Sequence, residues 1–231
     1  MEMNEGDILS ACTPRTWEPM TSEMKLFHLS ETSKEFKNVV RKVNRTLNVP
    51  VKSVLRIENP YLWGCYQLKK LEYITNEVPV REMELFHCTA QTNIPSIATN
   101  NLNWRKCIRS RFGEGISFSP SAAYANYYAN QEIGMDRALI LTTVLVGREI
   151  LGEKTMSHPP KLFDTSFGRK YGETIVYVKY CDYEFYPSYV AYYTNKSGSE
   201  LIRYRTDPYH QYAWYPRAYN NYLFWADNSD Y

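Results

Sequence analysis

Glu84-Leu85-Phe86-His87-Cys88-Thr89 is the stretch whose reading decides this chain. It follows the turn-rich Asn76–Pro79 and reads as a β-strand, with one histidine set in an otherwise apolar run. Downstream, Ile94–Asn101 reads as a short helix that stops at the Asn100-Asn101 pair, and Arg105–Glu114 is basic and irregular. Gly115–Ser119 alternates over a short strand, and Ser121–Asn130 has a helical pattern of Ala and Tyr. Arg137–Val146 is an apolar, β-branched run that suits a strand buried on both faces. Thr174–Tyr180 and Tyr189–Tyr193 supply further strands. Strands outnumber helices from residue 84 onward, so the expected class is α+β around an antiparallel core.

Upstream, Lys25–Leu29 reads as an edge strand. Phe36, Val39, Val40, Val43 and Leu47 recur at helical spacing, which predicts a helix over Glu31–Leu47 capped by Ser30 or Ser33. Val51–Ile57 alternates as a strand, with Lys52, Val54 and Arg56 on one side. Asn59-Pro60 then predicts an N-cap and a helix to about Tyr73. These two helices and their strand read as a first subassembly.

The chain has 231 residues, 44% hydrophobic and 23% charged, which excludes disorder, collagen and coiled coil over most of its length. The longest uncharged apolar stretch, Ala138–Gly147, is about half of a bilayer span, so no membrane partner is expected. Met1–Ser10 carries Glu2, Glu5 and Asp7 where a secretory signal would be basic. The five cysteines are scattered without a C-x-x-C pair, which argues against a disulfide scaffold and a structural zinc and points to the cytosol or nucleus. Net charge is only +2, yet ten Lys/Arg and three Glu fall between Lys25 and Lys70. Solvated helix faces are the ordinary reading of such a run, and a nucleic-acid footprint is the other.

Lipase, phosphate-loop, zinc-protease and complete dinucleotide motifs are absent. Gly113-Glu114-Gly115 by itself reads as a turn before a strand, and a lone His87 as a core histidine. Taken in series, however, the segments resemble the catalytic domain of the poly(ADP-ribose) polymerase superfamily. Glu84–Thr89 is similar to its "LFHGT" strand and Phe112–Phe118 to its "FGKGxYF" segment. Ser121–Tyr128 is similar to its "AxYSxxY" helix, Val144–Gly147 to "VLVG", Pro159-Pro160 with Phe163-Asp164 to "PP…FD", and Tyr186–Val190 to "YPxY[ILV]". Arg56–Trp63 resembles the "RIQNPxLW" segment of the mono-ADP-ribosyltransferase branch that includes the zinc-finger antiviral protein. The resemblance implies an ADP-ribosyltransferase-like split sheet, mostly antiparallel, with flanking helices. It divides the chain into a flexible lead-in at 1–24, the domain at 25–194 and an aromatic-rich extension at 195–231. Ten of the residues from Ser197 to Tyr231 are aromatic, and such rings want burial on the domain or on a partner.

The resemblance also implies chemistry: the nicotinamide–ribose bond of NAD, as substrate, is broken and ADP-ribose passes to a protein acceptor or to the chain itself, with no metal. It assigns catalysis to His87, Ser117 and Val190, and NAD binding to His87, Cys88, Thr89, Ser117, Ala125 and Tyr128. His87 would bond a ribose hydroxyl, Cys88 would hold the carboxamide through its backbone, and Tyr128 would cover one face of nicotinamide. Four positions depart from the family pattern. Cys88 replaces Gly, Ser117 a stacking Tyr, Ala125 a carboxamide-binding Ser, and Val190 stands where chain-elongating members have Glu. Val190 limits the expectation to single transfers. The other three leave open a non-catalytic binding or scaffold module. A His87–Cys88 nucleophile pair is disfavoured because neighbours on a strand face opposite sides. Glu184, near Val190, reads as a surface charge on a turn.

Overall fold

The computed structural model describes residues 13–17, 23–107, 111–129, 135–170 and 173–195. Most of the expected lead-in, part of the basic Arg105–Glu114 segment, Asn130 and the extension beyond Asn195 lie outside them. The first half runs β1 (Lys25–His28), α1 (Lys34–Asn44), β2 (Val51–Glu58), α2 (Pro60–Thr75), β3 (Arg81–Ala90) and α3 (Ile94–Asn100). The second runs β4 (Ile116–Phe118), α4 (Ala122–Tyr128), β5 (Asp136–Val146), β6 (Glu149–Leu151), β7 (Thr165–Lys170), β8 (Glu173–Lys179) and β9 (Phe185–Thr194). The class is α+β. One antiparallel sheet has the order β1-β2-β9-β5-β3, and a second has β4-β8-β7-β6 with only β6 and β7 parallel.

Helix α1 starts later than its periodicity suggests because Ser33 is the cap, accepting from the Phe36 amide, while Ser30 bonds Thr32 in the turn before it. Phe36, Val39 and Val43 then face the sheet. Asn59 caps α2 by accepting from the Leu62 amide at 3.0 Å, with Pro60 opening the helix. Strand β5 lies between β9 and β3 and is buried on both faces, as its composition requires. Leu139 and Leu141 pack with Phe86 and α1 on one side; Ala138, Ile140 and Val144 pack with Leu85 and Phe118 on the other.

Two expectations about the first half are corrected. The strand between α1 and α2 is no separate subassembly, since β2 pairs with β9 (Leu55 opposite Val190) inside the main sheet. Periodicity reports neighbours in sequence, and this pairing joins residues far apart. Arg56 is not on a solvated face. It is buried, donating to Glu58 and Glu35 at 2.7 Å each and lying over the Phe27 ring. Half of the basic run is paired in space: besides Arg56, Lys42 meets Glu84, Lys52 Asp136, Lys69 Glu72 and Lys70 Glu82, so five of its ten bases have carboxylate partners.

Glu184 is also corrected. It is buried between Lys179 and the Tyr73 hydroxyl of α2, which donates to it. Lys179, with no exposed surface, donates to Asp164 and Thr165 at 2.8 Å each. Asp164 in turn accepts from the Gly147 and Arg148 amides at 3.2 and 2.7 Å, tying together the ends of the loop between β5 and β7. A Cβ at Gly147 would stand 2.3 Å from that carboxylate, so the closure needs glycine. Burial acts to raise the Asp164 pKa, and Lys179 with the loop amides outweighs it, leaving Asp164 below the usual carboxylate range. Burial dominates at Glu184 and pushes it up.

Candidate active site

Among the described residues one isolated backbone bridge joins the two sheets. Phe86 donates to Ser119 at 2.7 Å and Ser119 donates back at 2.9 Å. Beyond it β3 and β4 diverge. This leaves a pocket of about 80 Å³ lined by His87, Cys88, Ser117, Ala125 and Tyr128, with Tyr124, Val176 and the neighbouring Phe86 and Phe118. Five of the seven residues singled out in the sequence therefore share one cavity. Thr89 and Val190 do not line it. Thr89 is buried and accepts from Asn93 at 2.9 Å. Val190 has no exposed surface and belongs to the core around Leu55 and Ile140.

Strand parity sets the sheet wall of the pocket. Phe86 turns its N–H and C=O toward β4, so Cys88, two residues on, turns its own to the same side, along the diverging edge. One backbone donor and one acceptor thus face the cleft, the pair a primary carboxamide needs. Cys88 is not among the positive-φ residues, and its Sγ lies 3.4 Å from the Tyr193 hydroxyl in the core. The backbone conformation at 88 therefore does not itself require glycine. Burial raises the thiol pKa, which keeps it protonated and removes it as a nucleophile.

His87 Nδ1 lies 3.0 Å from the Ser117 carbonyl oxygen. A carbonyl only accepts, so Nδ1 carries the proton. Burial lowers the imidazole pKa, partly offset by that bond, and the ring is neutral at pH 7. Nε2 is left as an acceptor suited to a hydroxyl. His87, Ile140 and Val190 stand directly opposite one another across β3, β5 and β9, and directly opposed residues share a face.

The other wall comes from α4. Ser121 caps it by accepting from the Tyr124 amide at 3.2 Å, and the Ala122 amide donates to Thr46 at 2.8 Å. Arg137 and Tyr193 both donate to Asn126, at 2.8 and 2.7 Å, fixing the helix against the main sheet. Tyr124 and Tyr128, one turn apart, place their ring centroids 4.3 Å from each other at the pocket. Tyr124 was missed by the sequence reading, although its i,i+4 spacing to Tyr128 carries the signal. Asn126 and Arg137 were missed as well; each is a polar residue inside an apolar run. On the approach to β4, Gly113 has φ +121°, and a Cβ there would lie 1.7 Å from the Tyr180 hydroxyl. Among the described residues no group of three or more His, Cys, Asp or Glu is placed to hold a metal ion.

Compared with known families, residues 33–201 match the poly(ADP-ribose) polymerase catalytic domain. The chain belongs to that family. Among curated proteins it is similar to human protein mono-ADP-ribosyltransferase PARP14, at 26% identity over 192 residues. The match takes in 77% of this chain but only 11% of the human protein, so the comparison concerns one domain of a much longer relative. Against the family motifs quoted above, His87 is kept, and Cys88, Ser117 and Ala125 stand where the motifs have Gly, Tyr and Ser.

Proposed function

We propose that this domain binds NAD and transfers a single ADP-ribose unit to a protein acceptor or to itself. The observation that carries the reading is the convergence of His87, the cleft-facing backbone of Cys88 and Tyr128 on one pocket where the sheets part. The nicotinamide carboxamide would pair with the Cys88 N–H and C=O, and Nε2 of His87 would accept a ribose hydroxyl. The C–N bond to ribose breaks with its electron pair leaving on neutral nicotinamide. The acceptor's nucleophile bonds C1′ and gives up its proton. The transition state is oxocarbenium-like, so the protein's share is positioning and electrostatics. Val190 carries no group that polarises a hydroxyl, which limits the product to one unit. The human relative is named a mono-ADP-ribosyltransferase, which supports this. Placement beside the zinc-finger antiviral protein rests on the Arg56–Trp63 segment alone.

A second reading has its own observation. Ser117 is exposed and brings no ring, and Ala125 offers no hydrogen bond. A lost stacking ring and a lost hydrogen bond cost about 0.5–1.5 kcal/mol each. Together that is roughly a 5- to 150-fold loss of nicotinamide affinity. The second reading is therefore a non-catalytic module that keeps the fold. Labelled NAD decides between them: label on the protein that is lost in His87→Ala supports transfer. A saturable rise in Tm with NAD but no label supports the module. Neither label nor shift at millimolar NAD overturns the NAD site itself.

A further inference from the structure

Tyr124 is the pocket residue to which the proposed chemistry gives no part. It stands on α4 one turn before Tyr128, half-buried, and its ring packs across the cleft against the Ile175, Val176 and Val178 cluster of β8. Strand register shows what it covers there. Ser117 lies directly opposite Val178, and Val176 is two residues away along β8, so the three share one face of the smaller sheet. A ring at 117 would spread over that face. Ser117 brings none, and Tyr124 lies there from the other wall instead. The family motif quoted above itself has a tyrosine at the 124 position; what differs is the small side chain at 117.

The result is a closed pocket. The Tyr124 and Tyr128 ring centroids are 4.3 Å apart with the planes 37° from parallel, which is direct ring-on-ring contact. A flat ligand laid between them would need about 7 Å, two contact distances of about 3.5 Å. The space left beside His87 is about 80 Å³. That is roughly half of the ~150 Å³ cavity that takes up benzene, and nicotinamide is larger than benzene. Tyr128 is anchored by a hydrogen bond from Arg111, whereas Tyr124 is held by apolar packing, so Tyr124 is the ring that gives way. We propose that Tyr124 is a gate: its ring fills the side of the pocket left open by Ser117, and nicotinamide enters only when that ring swings off Tyr128. The inference rests on the reading of this pocket as a nicotinamide site. It also fixes a sign. A ring that stacked on the bound ligand would strengthen binding, whereas a ring that must leave first lowers the apparent affinity by the fraction of time the pocket is open.

Calorimetry with nicotinamide on the full chain reads that sign. Tyr124→Ala should bind about tenfold more tightly than the unmodified chain, as for a pocket open about a tenth of the time. Tyr124→Leu keeps apolar cover on Val176 and Val178 while removing the ring. It should shift affinity in the same direction, and it carries the test if the alanine variant does not fold. Equal or weaker binding in the folded variant overturns the gate and leaves the NAD site standing. Binding by neither the unmodified chain nor the folded variant at millimolar nicotinamide overturns the NAD site and the gate with it.

Discussion

The two sheets reach the pocket with unequal support. The main sheet carries His87 and Cys88 on β3, which pairs with β5 over its full ten residues. The smaller sheet carries Ser117 on a three-residue strand, held to β3 by the Phe86–Ser119 bridge and to β8 on its other side. What steadies that sheet is charge: Lys179 on β8 sits among Asp164, Thr165 and Glu184. On the long ladder the sequence keeps the His87 of the family pattern and departs from it at Cys88. Where the site rests on the short strand and on α4, residues 117 and 125 have changed.

Lys179→Met strikes the weaker partner hardest. It leaves Asp164 and Glu184 buried without their cation, and the expected loss is about 3–5 kcal/mol of unfolding free energy by urea titration. A loss under ~1 kcal/mol would show that the smaller sheet does not depend on this charge. The converse experiment rebuilds the changed wall. Ser117→Tyr with Ala125→Ser should tighten nicotinamide binding by roughly 5- to 150-fold in calorimetry. No gain would mean that the pocket, not the missing groups, limits the ligand. Tyr128→Ala removes a ring from the retained set and should weaken the same binding by about 0.5–1.5 kcal/mol.

The smallest effects come from pH, and they separate the sheets again. Asp164 has a folded pKa below its unfolded value, so its stabilisation is complete above about pH 4 and fades as pH falls through the folded value. His87 is also lowered, but as a base: below about pH 6.5 the unfolded chain takes up a proton that the folded ring refuses, and stability declines with acidity. His87→Gln should remove the second slope and leave the first. Melting temperatures measured from pH 8 to pH 3 would check both.

Much of the main sheet was legible in the sequence because its strands are long and its helices capped. Arg137–Val146 reads as buried on both faces and lies inside the sheet, between β9 and β3; Asn59-Pro60 opens α2 as its chemistry requires. The smaller sheet was less legible. Thr165-Ser166-Phe167-Gly168-Arg169-Lys170 has no apolar alternation, since its buried Thr165 and Ser166 are held by hydrogen bonds to Asp164, Phe112 and Tyr180. Glu184 misled for the same reason: a carboxylate near a turn looks solvated until Tyr73 and Lys179 close over it from distant parts of the chain. His87, Cys88, Ser117, Ala125 and Tyr128 were found as an ordered series of segments. Asn126 and Tyr193, which hold α4 in place, carry no motif and emerge only from contact across the fold.

The alignment of His87, Ile140 and Val190 across three strands has an evolutionary corollary. A glutamate introduced at 190 would enter a sealed hydrocarbon layer between Leu55 and Ile140, and there it would hold its proton rather than act as an anion. Under the proposed function, Val190→Glu alone would therefore add no chain growth, because the neighbouring strands would first have to open a wet channel to that spot.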